Sequence, residues 1–318
     1  MEYLDSFNDS LKSIDERNYT FYDIKEFSNM FFGSNPFIND SNFSIKEFDC
    51  GNRICFSTSS SKVVFKVQLS ANKENNLQLC DWNSRGFDVY LIRNDDYVHK
   101  TVFAPFGDNN IFADVISNVQ NENICIYLPN FFQVEKMMIG VEKNASINEL
   151  NLYDDEKLLF LGNTITQGAS VSRSGNSYPN LVSRKLNRDI LNICNISSKD
   201  FNENFADKIL KSQFKYIIIY FSINDSFNQN LSDISDYFQV LSDGISDKKV
   251  IYVVDDLFVG QDSESVYKKF FTNDVHNVIL YISYLFDDDE LDYTVYDKYH
   301  FSDYAMQIIA QKICEYIK

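Results

Sequence analysis

Only three histidines occur in the chain, His99, His276 and His300, so a reaction that needs an imidazole base has few places to run. In Asp297-Lys298-Tyr299-His300 a carboxylate precedes the imidazole by three residues. In a turn that spacing lets the acid accept from one ring nitrogen while the other faces a nucleophile. Taken alone, such a pair more often caps a helix or sits on a surface. His99 and His276 adjoin no other marked residue. Two further stretches end strand-like runs with polar residues. Lys157-Leu158-Leu159-Phe160-Leu161-Gly162-Asn163-Thr164-Ile165-Thr166-Gln167-Gly168 places two hydroxyls after four apolar residues, and Phe221-Ser222-Ile223-Asn224-Asp225 reads by itself as an Asn-Asp turn at a strand end.

Groups so far apart in sequence must be gathered by a fold. Leu158 to Leu161, bounded by Gly162, reads as a buried strand, and the apolar spacing after Pro179 reads as a helix, so residues 162–168 form a strand-to-helix loop. Such loops carry ligands and catalytic groups in α/β folds. Further strands are expected near Ile190 to Cys194, Tyr216 to Phe221 and Val250 to Val254, with a fifth at Val278 to Leu285. Helices are expected at Tyr178 to Leu186, Asn202 to Lys211, Ile234 to Ile245, Val266 to Phe271 and Ala305 to Ile317. This alternation describes a three-layer α/β domain around a parallel sheet.

The preceding part has another period. Val63, Phe65, Val67 and Leu69 alternate with Lys62, Lys66 and Gln68, the signature of a half-buried strand. Similar runs stand at Ile54 to Thr58, Leu77 to Trp82, Phe87 to Ile92, Val98 to Phe103, Ile124 to Leu128 and Val134 to Val141, separated by Asn, Asp, Gly and Ser. They predict an antiparallel sandwich or jelly roll. Residues 1–36 offer only a short helical spacing at Ile24, Phe27 and Phe31, stopped by Gly33 and Pro36, and read as an N-terminal arm. The expected division is thus an arm over 1–36, a β-sandwich domain over 37–147 and an α/β domain over 148–318.

The segment around Thr164 resembles the first motif of the SGNH (GDSL) hydrolases, with threonine at the position of the nucleophilic serine. Asp297 and His300, followed by Phe301-Ser302 just before the last helix, resemble that family's final motif. Phe221 to Asp225 is similar to its G-x-N-D motif, with Ser222 at the glycine position. Arg85-Gly86-Phe87-Asp88-Val89-Tyr90 looks like the signature of the GxDLY domain, the β-rich companion of one branch of the family, and the likeness runs over roughly residues 40 to 145. The resemblance implies a flavodoxin-like hydrolase domain behind the sandwich. It further implies Thr164 as nucleophile, His300 as general base oriented by Asp297, and an oxyanion held by the Asn224 side chain and the backbone N–H at Ser197, or Ser198 if the alignment slips. Gly86 and Asp88 read better as a turn glycine and an edge-strand polar residue than as ligand-binding groups.

The chemistry so implied is acyl transfer through a covalent intermediate, with no metal or organic cofactor. The substrate class the resemblance implies is a small acyl ester, acetyl foremost, of a carbohydrate. Two alternatives stay open: an acyltransferase using the same site, and an inactive homologue that binds glycan or protein. The formal net charge of −17 and the lack of a basic run argue against nucleic acid and anionic membranes. The acidic, polar N-terminus and strand-sized apolar runs predict a cytoplasmic chain without a membrane span, its six cysteines reduced. Oligomeric state is not legible.

Overall fold

A computed structural model describes residues 15–26, 30–32, 50–71, 79–150, 152–153, 156–194, 196–223, 231–245, 247–257, 269, 276–287, 289–294, 297 and 299–317. These divide into two compact units. The first takes the described residues up to Tyr153 together with Ser172–Gly175, and the second those from 156 to 171 and from 176 onward.

The first unit is built from two antiparallel sheets. One has the order β1 (Tyr19–Asp23), β9 (Val134–Glu142), β4 (Lys62–Leu69), β7 (Ile111–Ser117). The other runs β10 (Ile147–Glu149), β3 (Arg53–Thr58), β8 (Glu122–Tyr127), β5 (Phe87–Arg93), β6 (Asp96–Phe103), with β2 (Phe31–Phe32) paired on β3. Val63, Phe65 and Val67 are fully buried, as their alternation requires. Phe65 stacks on Phe103 at 4.8 Å between ring centroids and Phe103 on Phe87 at 4.9 Å, which carries the core from one sheet to the other.

Several expectations need correction here. The described part of residues 1–36 is no separate arm, since β1 pairs along β9 and β2 along β3. Strands of five and two residues are too short to print a period in the sequence. Side chains of this segment also reach across β9 to β4, where Lys66 is buried with its ammonium 2.6 Å from the Glu16 carboxylate and 4.4 Å from the Phe21 ring centroid. The first unit extends past residue 147, because β10 pairs with β3 and the Tyr153 hydroxyl accepts from Arg53 Nε at 3.0 Å. Of the strand expected over Leu77 to Trp82, Leu77 and Gln78 lie outside the described residues, and at Asp81 the helical turn α1 (Asp81–Ser84) begins instead, fastened by Arg85 to Asp81 at 2.8 Å. β7 went unmarked in the sequence. Asp88 is not on an edge: β5 lies between β8 and β6, and the residue is wholly buried.

The second unit holds a five-stranded parallel sheet in the order β12 (Ile190–Ile193), β11 (Leu158–Leu161), β13 (Tyr216–Ser222), β14 (Lys249–Asp255), β15 (Asn277–Tyr281). A sheet covered on both faces needs strands apolar at every position. Leu158, Leu159, Phe160 and Leu161 are accordingly all fully buried. Leu159 and Leu161 face the cluster of α4 (Glu203–Lys211) and α5 (Leu231–Gly244), whereas Leu158 and Phe160 face α3 (Tyr178–Leu186) and α7 (Asp303–Tyr316). Each such side chain contributes about 1.5–3 kcal/mol by its burial. The expected helix at Val266 to Phe271 lies, apart from Lys269, outside the described residues. Among the described residues no helix is long and apolar enough to cross a membrane.

β11 ends at Gly162, which meets the next helical turn at very short range. A Cβ built there would stand 2.0 Å from Thr166 Oγ1 and 2.7 Å from Thr166 Cβ. The Thr166 hydroxyl cannot easily yield, since it is hydrogen-bonded to the buried Tyr178 hydroxyl at 2.8 Å. Gly162→Ala is therefore expected to destabilise the protein by ~1–3 kcal/mol, read as a lower urea midpoint at unchanged m.

Candidate active site

The site grows from the carboxyl edge of the parallel sheet. After Gly162, Asn163 caps a single helical turn, α2 (Thr164–Gln167), its side-chain oxygen accepting the Ile165 N–H at 3.0 Å. Ile165, Thr166 and Gln167 are buried and Thr164 alone is exposed. The buried side of the turn is pinned twice, by the Thr166–Tyr178 hydroxyl pair and by Asn192 Nδ2, which donates to the Thr166 carbonyl at 3.1 Å. The Thr164 carbonyl accepts from Gly168 at 3.1 Å and Ala169 at 2.9 Å. A rigid turn thus holds one hydroxyl at its solvent end, beside first-turn N–H groups that have no partner within the helix.

Asp297 and His300 form a closed local unit. One Asp297 oxygen accepts the backbone N–H of Tyr299 at 3.0 Å and of His300 at 2.9 Å, and the other stands 2.8 Å from His300 Nδ1. This is why a three-residue spacing suffices: the carboxylate folds the turn that brings the imidazole onto it. A proton on Nδ1 directed at Asp297 leaves Nε2 with its lone pair. Burial works to raise the Asp297 carboxyl, but the hydrogen bonds from the His300 ring and from the backbone of His300 and Tyr299 outweigh it, and the group is held below its ordinary value. Behind the imidazole the chain is anchored by buried Phe301 and by Ser302, which donates its N–H at 2.9 Å to the carbonyl of Thr294, the last residue of α6 (Leu291–Thr294), and caps α7 through its side chain.

Within the same unit, Asn176 Nδ2 donates to Asp303 Oδ2 at 3.1 Å. That bond joins the chain leading from the Thr164 turn toward α3 to the start of the helix that follows His300. The other histidines lie elsewhere. His276 precedes β15 at the amino edge of the sheet, its Nδ1 3.3 Å from the Lys248 carbonyl. His99 belongs to β6 in the first unit.

The two oxyanion candidates differ in what can be described. Asn224 lies outside the described residues; β13, which leads toward it, ends at Ser222. Ser197 is exposed, and both its N–H and its hydroxyl donate to Asp200 Oδ2, at 2.7 and 2.9 Å. Ser198 opens the short 3-10 turn that ends at Asp200. The carboxyl edge also carries two acids that sequence reasoning passed over. The Tyr220 hydroxyl donates to Asp255 Oδ2 at 2.5 Å, and Asp256 accepts from the Ser283 N–H at 2.9 Å and hydroxyl at 2.6 Å. The signal was present as Asp255-Asp256 directly after the apolar run Val250 to Val254. Among the described residues no group of three or more His, Cys, Asp or Glu gathers as metal ligands would.

Comparison with known proteins bears on both units. A model of the N-terminus of SGNH-hydrolase-type esterases, named GxDLY, matches residues 43–147, and one of the GDSL-like lipase/acylhydrolase family matches residues 155–257. No curated protein matches the sequence. Among solved structures, a protein from Bacteroides ovatus ATCC 8483 described as a GDSL-like lipase aligns at TM-score 0.74 and 19% identity over 93% of this chain and 96% of its own. The salicylyl-acyltransferase SsfX3 from a tetracycline biosynthetic pathway aligns at TM-score 0.69 and 10% identity over the same shares. A family two carbohydrate esterase from Cellvibrio japonicus aligns at TM-score 0.57 and 12% identity, again over 93% and 96%. At these identities the likeness is one of fold. With both parts matched in sequence and in the same order, the chain belongs to the SGNH (GDSL-like) hydrolase family, in the branch whose hydrolase domain follows a GxDLY domain.

Proposed function

We propose that this protein is an esterase that removes small acyl groups, acetyl foremost, from a carbohydrate through a covalent intermediate on Thr164. The observation that carries the reading is the Asp297–His300 pair, closed at 2.8 Å with Nε2 left to act, in the same compact unit as the exposed hydroxyl of Thr164. Thr164 Oγ1 attacks the ester carbonyl while His300 Nε2 takes its proton, and Asp297 stabilises the imidazolium. The oxyanion of the tetrahedral intermediate is held by the Thr164 N–H at the start of α2 and by the Asn224 side chain. His300 returns the proton to the departing sugar hydroxyl, and a water activated by the same imidazole releases the acyl group. Ser197 joins the oxyanion donors only if its N–H leaves Asp200. The carbohydrate assignment is supported by the family two carbohydrate esterase among the fold relatives.

A second reading is favoured by the salicylyl-acyltransferase, which shares the fold over both units. There the acyl group would pass to an alcohol in place of water, and the residues on this chain would keep the same roles.

The test is hydrolysis of p-nitrophenyl acetate by the purified protein. His300→Ala is expected to remove at least 99% of kcat/KM, about 2.7 kcal/mol or more of transition-state stabilisation, while His276→Ala retains it. Thr164→Val should abolish turnover. Thr164→Ser should raise kcat about tenfold, or ~1.4 kcal/mol of barrier, because the lost methyl relieves crowding at the nucleophile. Turnover surviving Thr164→Val would overturn the assignment of the nucleophile.

A stability measurement checks the carboxylate. Because the folded-state pKa of Asp297 is lowered, its contribution to stability is present above its unfolded value near ~3.9 and is lost as pH falls through the folded value. The Tm difference between wild type and Asp297→Asn is therefore expected to be widest near neutral pH and to narrow steadily below pH ~4.

A further inference from the structure

The residues of the GxDLY-like signature take no part in the chemistry above, yet Asp88 and Tyr90 share one face of β5 and Gly86 immediately precedes that strand. Residues two apart along a strand point the same way, so Asp88 and Tyr90 act together, with the Gly86 carbonyl beside them. What they meet is Ser172–Gly175, four residues that belong to the first unit although Val171 and Asn176 on either side belong to the second. Each of the four is tied down. Cys80 Sγ–H donates to the Ser172 carbonyl at 3.1 Å. Arg173 places Nε 3.7 Å from Asp88 Oδ2 and its guanidinium 5.8 Å from the Tyr90 ring centroid. The Ser174 hydroxyl donates to the Gly86 carbonyl at 3.4 Å, and its own carbonyl accepts from Asn130 Nδ2 at 3.3 Å. The Gly175 N–H donates to Asp88 Oδ2 at 3.1 Å.

Asp88 is the centre of this contact. It is wholly buried, and it also receives the Tyr90 hydroxyl at 3.2 Å and stands 3.1 Å from His99 Nε2. Its approach to the loop leaves no room for a side chain at 175, where a Cβ would lie 2.5 Å from Asp88 Oδ2 and 3.0 Å from the Tyr90 hydroxyl. A buried carboxylate is stable only when it is paired and hydrogen-bonded, and here a backbone N–H and the Arg173 guanidinium of the loop supply part of that satisfaction. The loop and the carboxylate therefore hold each other.

The loop matters because of where its ends go. On one side it continues from α2, whose first residue is Thr164. On the other it delivers Asn176, which holds Asp303 three residues past His300. We propose that Asp88 is a positioning residue: by fixing Ser172–Gly175 it sets the conformation of the Thr164 turn and the placement of Asn176. The GxDLY-like signature is thereby a clamp on Ser172–Gly175. The kinetic consequence rests on the esterase reading; the clamp itself does not.

The experiment compares wild type with Asp88→Asn, which keeps an acceptor for the Gly175 N–H but removes the charge facing Arg173 and His99. A second variant, Gly175→Ala, pushes the loop off an intact Asp88. Arg93→Ala, at the exposed end of the same strand, serves as control. Amide hydrogen exchange is followed over residues 164–177 in the folded proteins, together with kcat and KM on p-nitrophenyl acetate. Both clamp variants are expected to exchange at least tenfold faster at Ser172–Gly175 and at the Thr164–Gln167 turn, and to lose at least tenfold in kcat with KM changed less than threefold; the control changes neither. Unchanged exchange at Thr164–Gln167 in both variants would overturn the proposal whatever the kinetics. Faster exchange there with wild-type kcat would overturn it too. A wild type without esterase activity whose turn still loosens on Asp88→Asn would sink the esterase reading and leave the clamp standing.

Discussion

A parallel sheet buried on both faces leaves its strands no polar outlet along their length. Leu158 to Leu161 and Ile217 to Ile219 are fully buried apolar side chains, and chemistry is possible only where such strands end. Everything in the candidate site follows from how those ends are finished. β11 finishes in a glycine that Thr166 closes over at a distance no Cβ tolerates. The one-turn helix this forces has a buried side, fixed by Tyr178 and Asn192, and an open side, where Thr164 stands. The nucleophile candidate is thus exposed because its neighbours are not.

The candidate base is positioned by a different device. A carboxylate that accepts two backbone N–H groups and one imidazole nitrogen folds its own turn, and it needs little help from the sheet to do so. What the fold adds is location. Phe301 and the buried face of α7 seat the turn against the core that also holds α3, and Asn176 bridges to Asp303. The hydrogen bonds hold Asp297 ionised against the pull of its own burial, the state in which a carboxylate can stabilise an imidazolium.

Much of this was legible in the residues. Four consecutive apolar residues before a glycine announced β11, and the spacing after Pro179 located α3 at the residues it occupies. The Asp297–His300 pair was readable because its geometry is local, complete within four residues. What stayed hidden depends on contacts between distant segments. β1 and β2 are too short to show a period, and Lys66 looked outward until Glu16 and Phe21 met it. Asp88 read as an edge-strand residue, since nothing near it in sequence says that β6 will lie outside β5 or that Ser172–Gly175 will return to meet it. The engagement of the Ser197 N–H by Asp200 depends on a three-residue turn whose geometry composition does not specify.

In the proposed mechanism Thr164, and no other hydroxyl, forms the covalent bond. The most direct measurement is reaction of the purified protein with a fluorophosphonate ester, followed by proteolysis and mass spectrometry of the modified peptide. A single stoichiometric phosphonyl adduct on Thr164 is expected, absent from Thr164→Val and strongly slowed in His300→Ala. An adduct on a different residue, or ester turnover by a protein whose Thr164 never becomes modified, would contradict it.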